Sequence, residues 1–186
     1  MIIGLTGRIA SGKTGVAEIL KKNGFEYYTI SQKVREVAGK INLPIKRESL
    51  QDFGNLIRKY EGNGAWIKRI VAENLKDMEN KNYLIDGIRN PGEVEELKKT
   101  GNFLLISIDA PFEERYLRVI KRNKESDPKE REEFIKIDAR DFGEENPEGQ
   151  QVGKCMAMAD FQIMNNSTFE KLNEQIEDLY REINSR

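Results

Sequence analysis

Gly7, Gly12, Lys13 and Thr14 stand in the run Gly7-Arg-Ile-Ala-Ser-Gly-Lys-Thr14, which has the GxxxxGK[ST] spacing of a phosphate-binding loop. The residue types explain the chemistry. Two glycines let successive backbone amides turn inward toward phosphate oxygens, and Lys13 adds a point charge for β- and γ-phosphates. Thr14 offers a hydroxyl to Mg²⁺ and opens a helix whose positive end faces the anion. Gly7, Arg8, Ile9, Ala10, Ser11, Gly12, Lys13, Thr14 and Gly15 are therefore the expected triphosphate site, with ATP and Mg²⁺ as the implied ligands. The chain contains no histidine and one cysteine, Cys155, so catalysis must rest on carboxylates, cations, hydroxyls and a metal. A Ser-His-Asp triad and a Cys/His zinc site are excluded.

Further candidates follow the other apolar runs. Asp86, in Ile85-Asp-Gly-Ile-Arg89, is placed to join a Mg²⁺ shell or to accept a proton from an attacking oxygen, and Arg89 to grip an acceptor phosphate. Ser31 and Arg35 follow the second apolar run, Ser31 as a helix cap and Arg35 as a second phosphate contact. Gln51, Asn55 and Arg58 share one helical face by their spacing and form a candidate acceptor-binding surface. Arg115, Arg118 and Arg122 fall within about 60° of one another on a helical wheel, opposite Tyr116, Leu117 and Ile120. That pattern predicts an arginine stripe on one face and an apolar face turned to the core. Arg122 and Arg140 flank a charged stretch and are the arginines expected to act on a transferring phosphoryl group. Asn166, after the last apolar run, is a candidate adenine contact.

These residues need strands that end beside one another. Strands are expected at Ile2–Leu5, Phe25–Ile30, Tyr83–Ile85, Phe103–Ile108 and Phe161–Met164. Helices are expected near 13–22, 31–38, 48–60, 64–80, 91–100, 111–122 and 168–184. Short apolar strands alternating with helices imply an α/β fold with a parallel sheet covered on both faces, whose ligands bind beyond the carboxyl ends of the strands. Residues 123–151 break the alternation and read as a polar lid insertion, with Asp127 capping a short helix. The expected organisation is a single domain over 1–186, with acceptor-binding helices in 31–80 and the lid in 123–151.

Composition narrows the class. Thirty-one basic and 32 acidic residues give a net charge of −1, which argues against nucleic-acid coating and membrane-surface binding. No apolar run approaches the ~18 residues a membrane span requires. A strand opening at Met1 and a lone cysteine predict a cytoplasmic protein without a signal peptide. There is no Asn-Lys-x-Asp run, as a guanine-reading switch would need.

The phosphate loop followed by Arg122 and a lid resembles the nucleoside monophosphate kinase-like P-loop kinases. Ile3 to Phe25 and Ala159-Asp-Phe-Gln-Ile-Met-Asn-Asn-Ser167 are closer to dephospho-CoA kinases. That likeness breaks after the second strand, where an Asp-Ala-Asp-like run with a base is replaced by Thr29-Ile-Ser31. Leu50-Gln-Asp-Phe-Gly-Asn55, Asp86-Gly-Ile-Arg-Asn-Pro-Gly-Glu-Val94, Ile137-Asp-Ala-Arg-Asp-Phe-Gly143 and Gln151-Val-Gly153 are similar to archaeal adenylate-kinase-related proteins and phage-type deoxynucleoside monophosphate kinases. The resemblance implies a five-stranded 2-3-1-4-5 sheet, ATP with Mg²⁺ as donor, and a small nucleotide-like acceptor. It points first to a (deoxy)nucleoside monophosphate kinase acting as a monomer or homodimer, and second to a dephospho-CoA kinase.

Overall fold

The computed structural model describes residues 1–123, 127–143 and 147–184, the side chains of 47, 48 and 184 excepted. Strands β1 (Ile2–Gly7), β2 (Phe25–Thr29), β3 (Asn82–Asp86), β4 (Phe103–Asp109) and β5 (Phe161–Met164) form a parallel sheet in the order β2-β3-β1-β4-β5. The expected sheet order and α/β class are the ones observed. The helices are α1 (Lys13–Lys22), α2 (Ile30–Lys40), α3 (Arg47–Glu61), α4 (Ala65–Asn74), α5 (Pro91–Lys98), α6 (Phe112–Arg122), α7 (Arg131–Phe142), α8 (Val152–Ala157) and α9 (Phe169–Asn184).

The central strand β1 is buried along its whole length, as a strand covered on both faces must be. Its period-two alternation divides the core. Ile3 and Leu5 join Leu84, Ile106 and Ile108 beneath α1 and α9. Ile2 joins Tyr83, Ile85 and Leu105 beneath α2, α4, α5 and α8. Trp66 is fully buried in this second core, and its indole donates to Gly54 O at 3.1 Å, which ties α4 to α3. The two cores cover opposite faces of β1 and β3, so the loops after these strands have rigid footings.

β1 ends at Gly7, whose φ of 134° is open to glycine, and a Cβ there would lie 1.9 Å from Ile108 O on β4. Gly7→Ala should therefore destabilise the protein by about 3 kcal/mol or more, because both the backbone conformation and the neighbouring strand oppose it. Urea unfolding midpoints of the two proteins test this; an unchanged midpoint would contradict the close packing.

Four local expectations are corrected. The helix expected over 64–80 stops at Asn74, because Asp77 folds the following chain: its carboxylate accepts from Asn80 N and Nδ2, and its carbonyl from Lys81 N. The cap of α2 is Thr29, which accepts from Gln32 N at 2.9 Å, rather than Ser31. Asp127 does not stand at the cap of α7, which starts after Glu130; it receives Arg122 through two bonds of 2.7 Å. On α6 the apolar side is not the buried one: Arg115 and Val119 are buried, Leu117 and Ile120 are exposed, and only Tyr116 of that side packs, on Phe134.

Candidate functional site

The phosphate loop turns on three left-handed residues, Gly7, Ala10 and Gly12, before α1 begins at Lys13. Such a sequence of turns gathers amides around a concavity suited to an anion. Lys13 folds back over it, with Nζ donating to Gly7 O at 2.8 Å and to Arg8 O at 2.7 Å. Desolvation lowers the Lys13 pKa to about 8; the charges of Asp86 and Asp141 oppose the shift and those of Arg89 and Arg122 add to it. Thr14 stands on the exposed side of the first turn of α1, while Gly15 lies against Phe169 and Leu172.

The outer side of the loop is fastened by two residues that sequence reasoning did not select for it. Asn165 donates from Nδ2 to Ser11 O at 2.8 Å, and its amide N donates to Asp109 O at 2.7 Å. A Cβ at Gly12 would meet Asn165 Nδ2 at 2.1 Å, so the loop glycine and the amide are fitted to each other. Arg118 donates to Ala10 O, Ser11 O and Asn165 O at 3.2–3.4 Å. Asn166, the expected adenine contact, is exposed and lines a shallow groove with Met164 and Gln175.

Asp86 ends β3 beside Leu5 and Thr29. Its Oδ2 accepts from the Tyr27 hydroxyl at 2.9 Å, and its Oδ1 is buried without a partner. Burial, and then the charge of Asp86, raise the Tyr27 pKa, so Tyr27 remains a donor and holds the carboxylate in place. A buried carboxylate oxygen left open is suited to a cation or a hydroxyl proton.

Arg89 stands between two cavities. On one side is a hollow of about 40 Å³ bounded by Gly7, Arg8, Ile9 and Lys13 from the loop, by Arg89, and by Asp138, Asp141, Phe142 and Val152. On the other is a cavity of about 660 Å³. Ile30, Val34, Ile45 and Leu50 give it an apolar wall; Arg35, Lys46 and Arg89 bring positive charge, Arg58 brings a guanidinium paired with Glu93, and Ser31, Gln51 and Gln150 bring neutral polar groups. No carboxylate occurs among its described lining residues.

The main chain around Arg89 is immobilised by a buried network. Glu93, fully buried, accepts from Arg89 N and Asn90 N and from Arg58 Nε and Nη2 at 2.8–3.1 Å. Asn55 accepts from Arg58 Nη1 at 3.0 Å, so Arg58 reaches the cavity as a neutralised group held from behind. Arg35 lies at the exposed margin, its Nη1 3.4 Å from Ser31 O.

Helix α7 lies on the phosphate loop. Asp138 is shared by Arg8 Nη1 at 2.7 Å and by both terminal nitrogens of Arg115 at 2.6 and 3.0 Å. The Arg8 guanidinium also stacks 4.0 Å from the centre of the Phe142 ring. Of the two arginines expected to serve transfer, Arg122 pairs with Asp127, and Arg140 lies 3.7 Å from Asp52 on α3.

Among the described residues no helix is long and apolar enough to cross a membrane. A loop of this form, closing the central strand of a 2-3-1-4-5 parallel sheet, defines a P-loop protein with the kinase-like fold. The chain belongs to the AAA domain family, whose model matches residues 3–143, and to the UPF0200 proteins. It is 34% identical over 190 residues to a UPF0200 protein of Pyrococcus abyssi, covering 98% of this chain and 97% of the relative. It is 35% identical over 183 residues to one of Sulfurisphaera tokodaii, at 98% and 97% coverage. Among solved structures, TT1252 from Thermus thermophilus is similar with a TM-score of 0.65 at 20% identity, covering 98% of this chain and 97% of that one. Dephospho-CoA kinase from Campylobacter jejuni is similar with a TM-score of 0.53 at 16% identity, covering 98% and 96%. At these identities the likeness to solved structures speaks for the fold.

Proposed function

We propose that this protein is an ATP-dependent phosphotransferase whose acceptor is a nucleotide-like small molecule, with a (deoxy)nucleoside monophosphate as the favoured class. The observation that carries the reading is Arg89, one side chain that borders both the phosphate-loop hollow and the large cationic cavity. A donor phosphate on the loop and an acceptor in the cavity would meet at this guanidinium. The solved structures with this fold include dephospho-CoA kinase and shikimate kinase, both small-molecule kinases by name.

In this reading the loop amides and Lys13 bind the β- and γ-phosphates. Arg35, Lys46 and Arg89 attract the acceptor's phosphate, and the apolar wall from Ile30 to Leu50 receives its body. Thr14 and the open Oδ1 of Asp86 fit a Mg²⁺ that takes few protein ligands and completes its shell with phosphate and water. When bound, such an ion neutralises charge between the phosphates. Segment 31–80 then supplies the acceptor site and 123–151 the lid. The hollow over the loop is small because α7 rests there, so nucleotide entry requires α7 to lift and closure to exclude water.

Ser31 favours a phosphate acceptor over dephospho-CoA. It lines the cavity where the dephospho-CoA kinase pattern has an aspartate base, and a phosphate oxygen already anionic at neutral pH needs none. Coupled ADP release with CMP, dCMP, AMP, UMP, dTMP, GMP and dephospho-CoA tests this. The expected result is kcat/KM for at least one monophosphate about 10²-fold or more above that for dephospho-CoA. The reverse order would overturn the acceptor class, and no acceptor-stimulated release from any phosphorylatable small molecule would overturn the phosphotransferase reading.

A further inference from the structure

Among the described lining residues, the cavity wall holds one buried side-chain oxygen without a hydrogen-bond partner. Gln150 is 5% exposed and lines the cavity, and its Oε1 is buried without a partner. Buried polar atoms are nearly always paired, so an open acceptor oxygen in a cavity wall marks a place where a ligand donates. The backbone that carries the side chain is well anchored. The carbonyls of Pro147 and Gly149 accept from Asn90 Nδ2, each at 2.9 Å. Gln151 N donates to Arg89 O at 2.7 Å, and Arg58 Nη1 lies 3.5 Å from Glu148 O. The backbone on both sides of Gln150 is thus bonded to the network that fixes Arg58 and Arg89, and the carboxamide is presented from a rigid support.

We infer that Gln150 reads the base of the acceptor nucleotide, its Oε1 accepting an N–H from the base edge while the cavity's cations hold the phosphate. The inference rests on the nucleotide-acceptor reading above. A carboxamide carries an acceptor and donors in one plane, the complement of a base edge that offers a donor beside an acceptor. A phosphate has no N–H to give, and Arg35, Lys46 and Arg89 already match its charge. Selectivity then follows from the oxygen. A ligand that donates satisfies it, and one that cannot leaves it buried and unpaired, which is how hydrogen-bonding sites reject close analogues. Gln150 acts as a specificity-determining residue on the returning arm of the lid segment, so the segment that covers the loop also inspects the acceptor.

Binding measurements test this without requiring turnover. Calorimetric titration of the full chain with AMP, CMP, GMP, UMP and ribose 5-phosphate should show one preferred nucleotide, bound well above ribose 5-phosphate. In Gln150→Leu the preferred nucleotide should lose roughly 10- to 100-fold in affinity, with ribose 5-phosphate nearly unchanged. An analogue of the preferred nucleotide whose facing N–H is methylated or replaced by C–H should bind both proteins alike. The ligand-free variant should melt no lower than wild type, because the deleted oxygen had no partner; Gln150→Met repeats the comparison with a different apolar shape. Equal losses for nucleotides and ribose 5-phosphate would overturn the inference. So would a ribose 5-phosphate affinity equal to the best nucleotide, lower melting temperatures of both ligand-free variants, or binding of none of the five probes. In the last case ADP release with other phosphate acceptors still decides the phosphotransferase reading separately.

Discussion

Replacing Lys13 by alanine should lower ATP-dependent phosphoryl transfer by at least about 10³-fold and leave the fold intact. The ammonium is held by the carbonyls of Gly7 and Arg8, and the residue belongs to neither hydrophobic core. Its loss therefore removes charge from the site without opening a cavity. A factor of 10³ is about 4 kcal/mol of transition-state stabilisation, within the range for deleting one preorganised electrostatic contact. The pH dependence supplies an independent check. Burial lowers the pKa of Lys13 to about 8 in the free protein, and bound phosphates must raise it again. ATP affinity should then be full below pH 8 and fall as pH rises through 8, by up to about tenfold per unit until the bound-state value is reached. Lys13→Ala should lack this fall. Transfer within tenfold of wild type in a folded variant, or an ATP affinity unchanged between pH 7 and 9, would remove Lys13 from the donor site.

The parts of the site that could be read in the sequence are those with strong local causes. Gly7, Gly12, Lys13 and Thr14 are bound to one another by the geometry of a single turn, and the buried runs of β1, β3 and β4 follow from burial on two faces. What escaped was set by distant partners. On α6 the amphipathic pattern pointed Leu117 and Ile120 inward, yet the neighbours of that helix include the carbonyls of Ala10, Ser11 and Ala110 and the carboxylate of Asp138. A surface of acceptors selects donors, so Arg115 and Arg118 turn in and the aliphatic side chains turn out. Hydrophobic periodicity assumes an apolar neighbour and fails where the neighbour is a polar loop.

The turn of Asn165 toward the loop could have been read locally. Ile163 is the buried residue of β5, and a period of two places Asn165 on the same inward side and Asn166 outside. Tyr27 was legible in the same way only after β2 and β3 are known to pair, because its contact with Asp86 crosses 59 positions of sequence. Gln150 offered no signal. Its importance arises from an unpaired oxygen and from bonds between residues 147–151 and residues 58, 89 and 90, all of which exist only in the folded chain.

Arg89→Ala is expected to be nearly as damaging as the loss of Lys13, with a different kinetic signature. Its side chain borders the loop hollow and the large cavity, whereas its main chain is held by Glu93 and Gln151 through bonds the substitution leaves in place. The variant should fold and bind ATP within about fivefold of wild type. Its turnover should fall roughly 10³-fold, as for an arginine that stabilises a transferring phosphoryl group, and its acceptor KM should rise by tenfold or more. Arg89→Lys should recover only part of the loss, since an ammonium keeps the charge and forfeits the fork that can bridge two oxygens. Arg122→Ala and Arg140→Ala are the informative comparisons. Arg122 is committed to Asp127 and Arg140 is directed to Asp52, so each should cost less in turnover than Arg89→Ala. Steady-state kinetics on the four variants with the best acceptor decides the order. If Arg122→Ala or Arg140→Ala proves the more severe, that arginine must leave its aspartate when the lid closes, and the junction between the two cavities is not where transfer is stabilised.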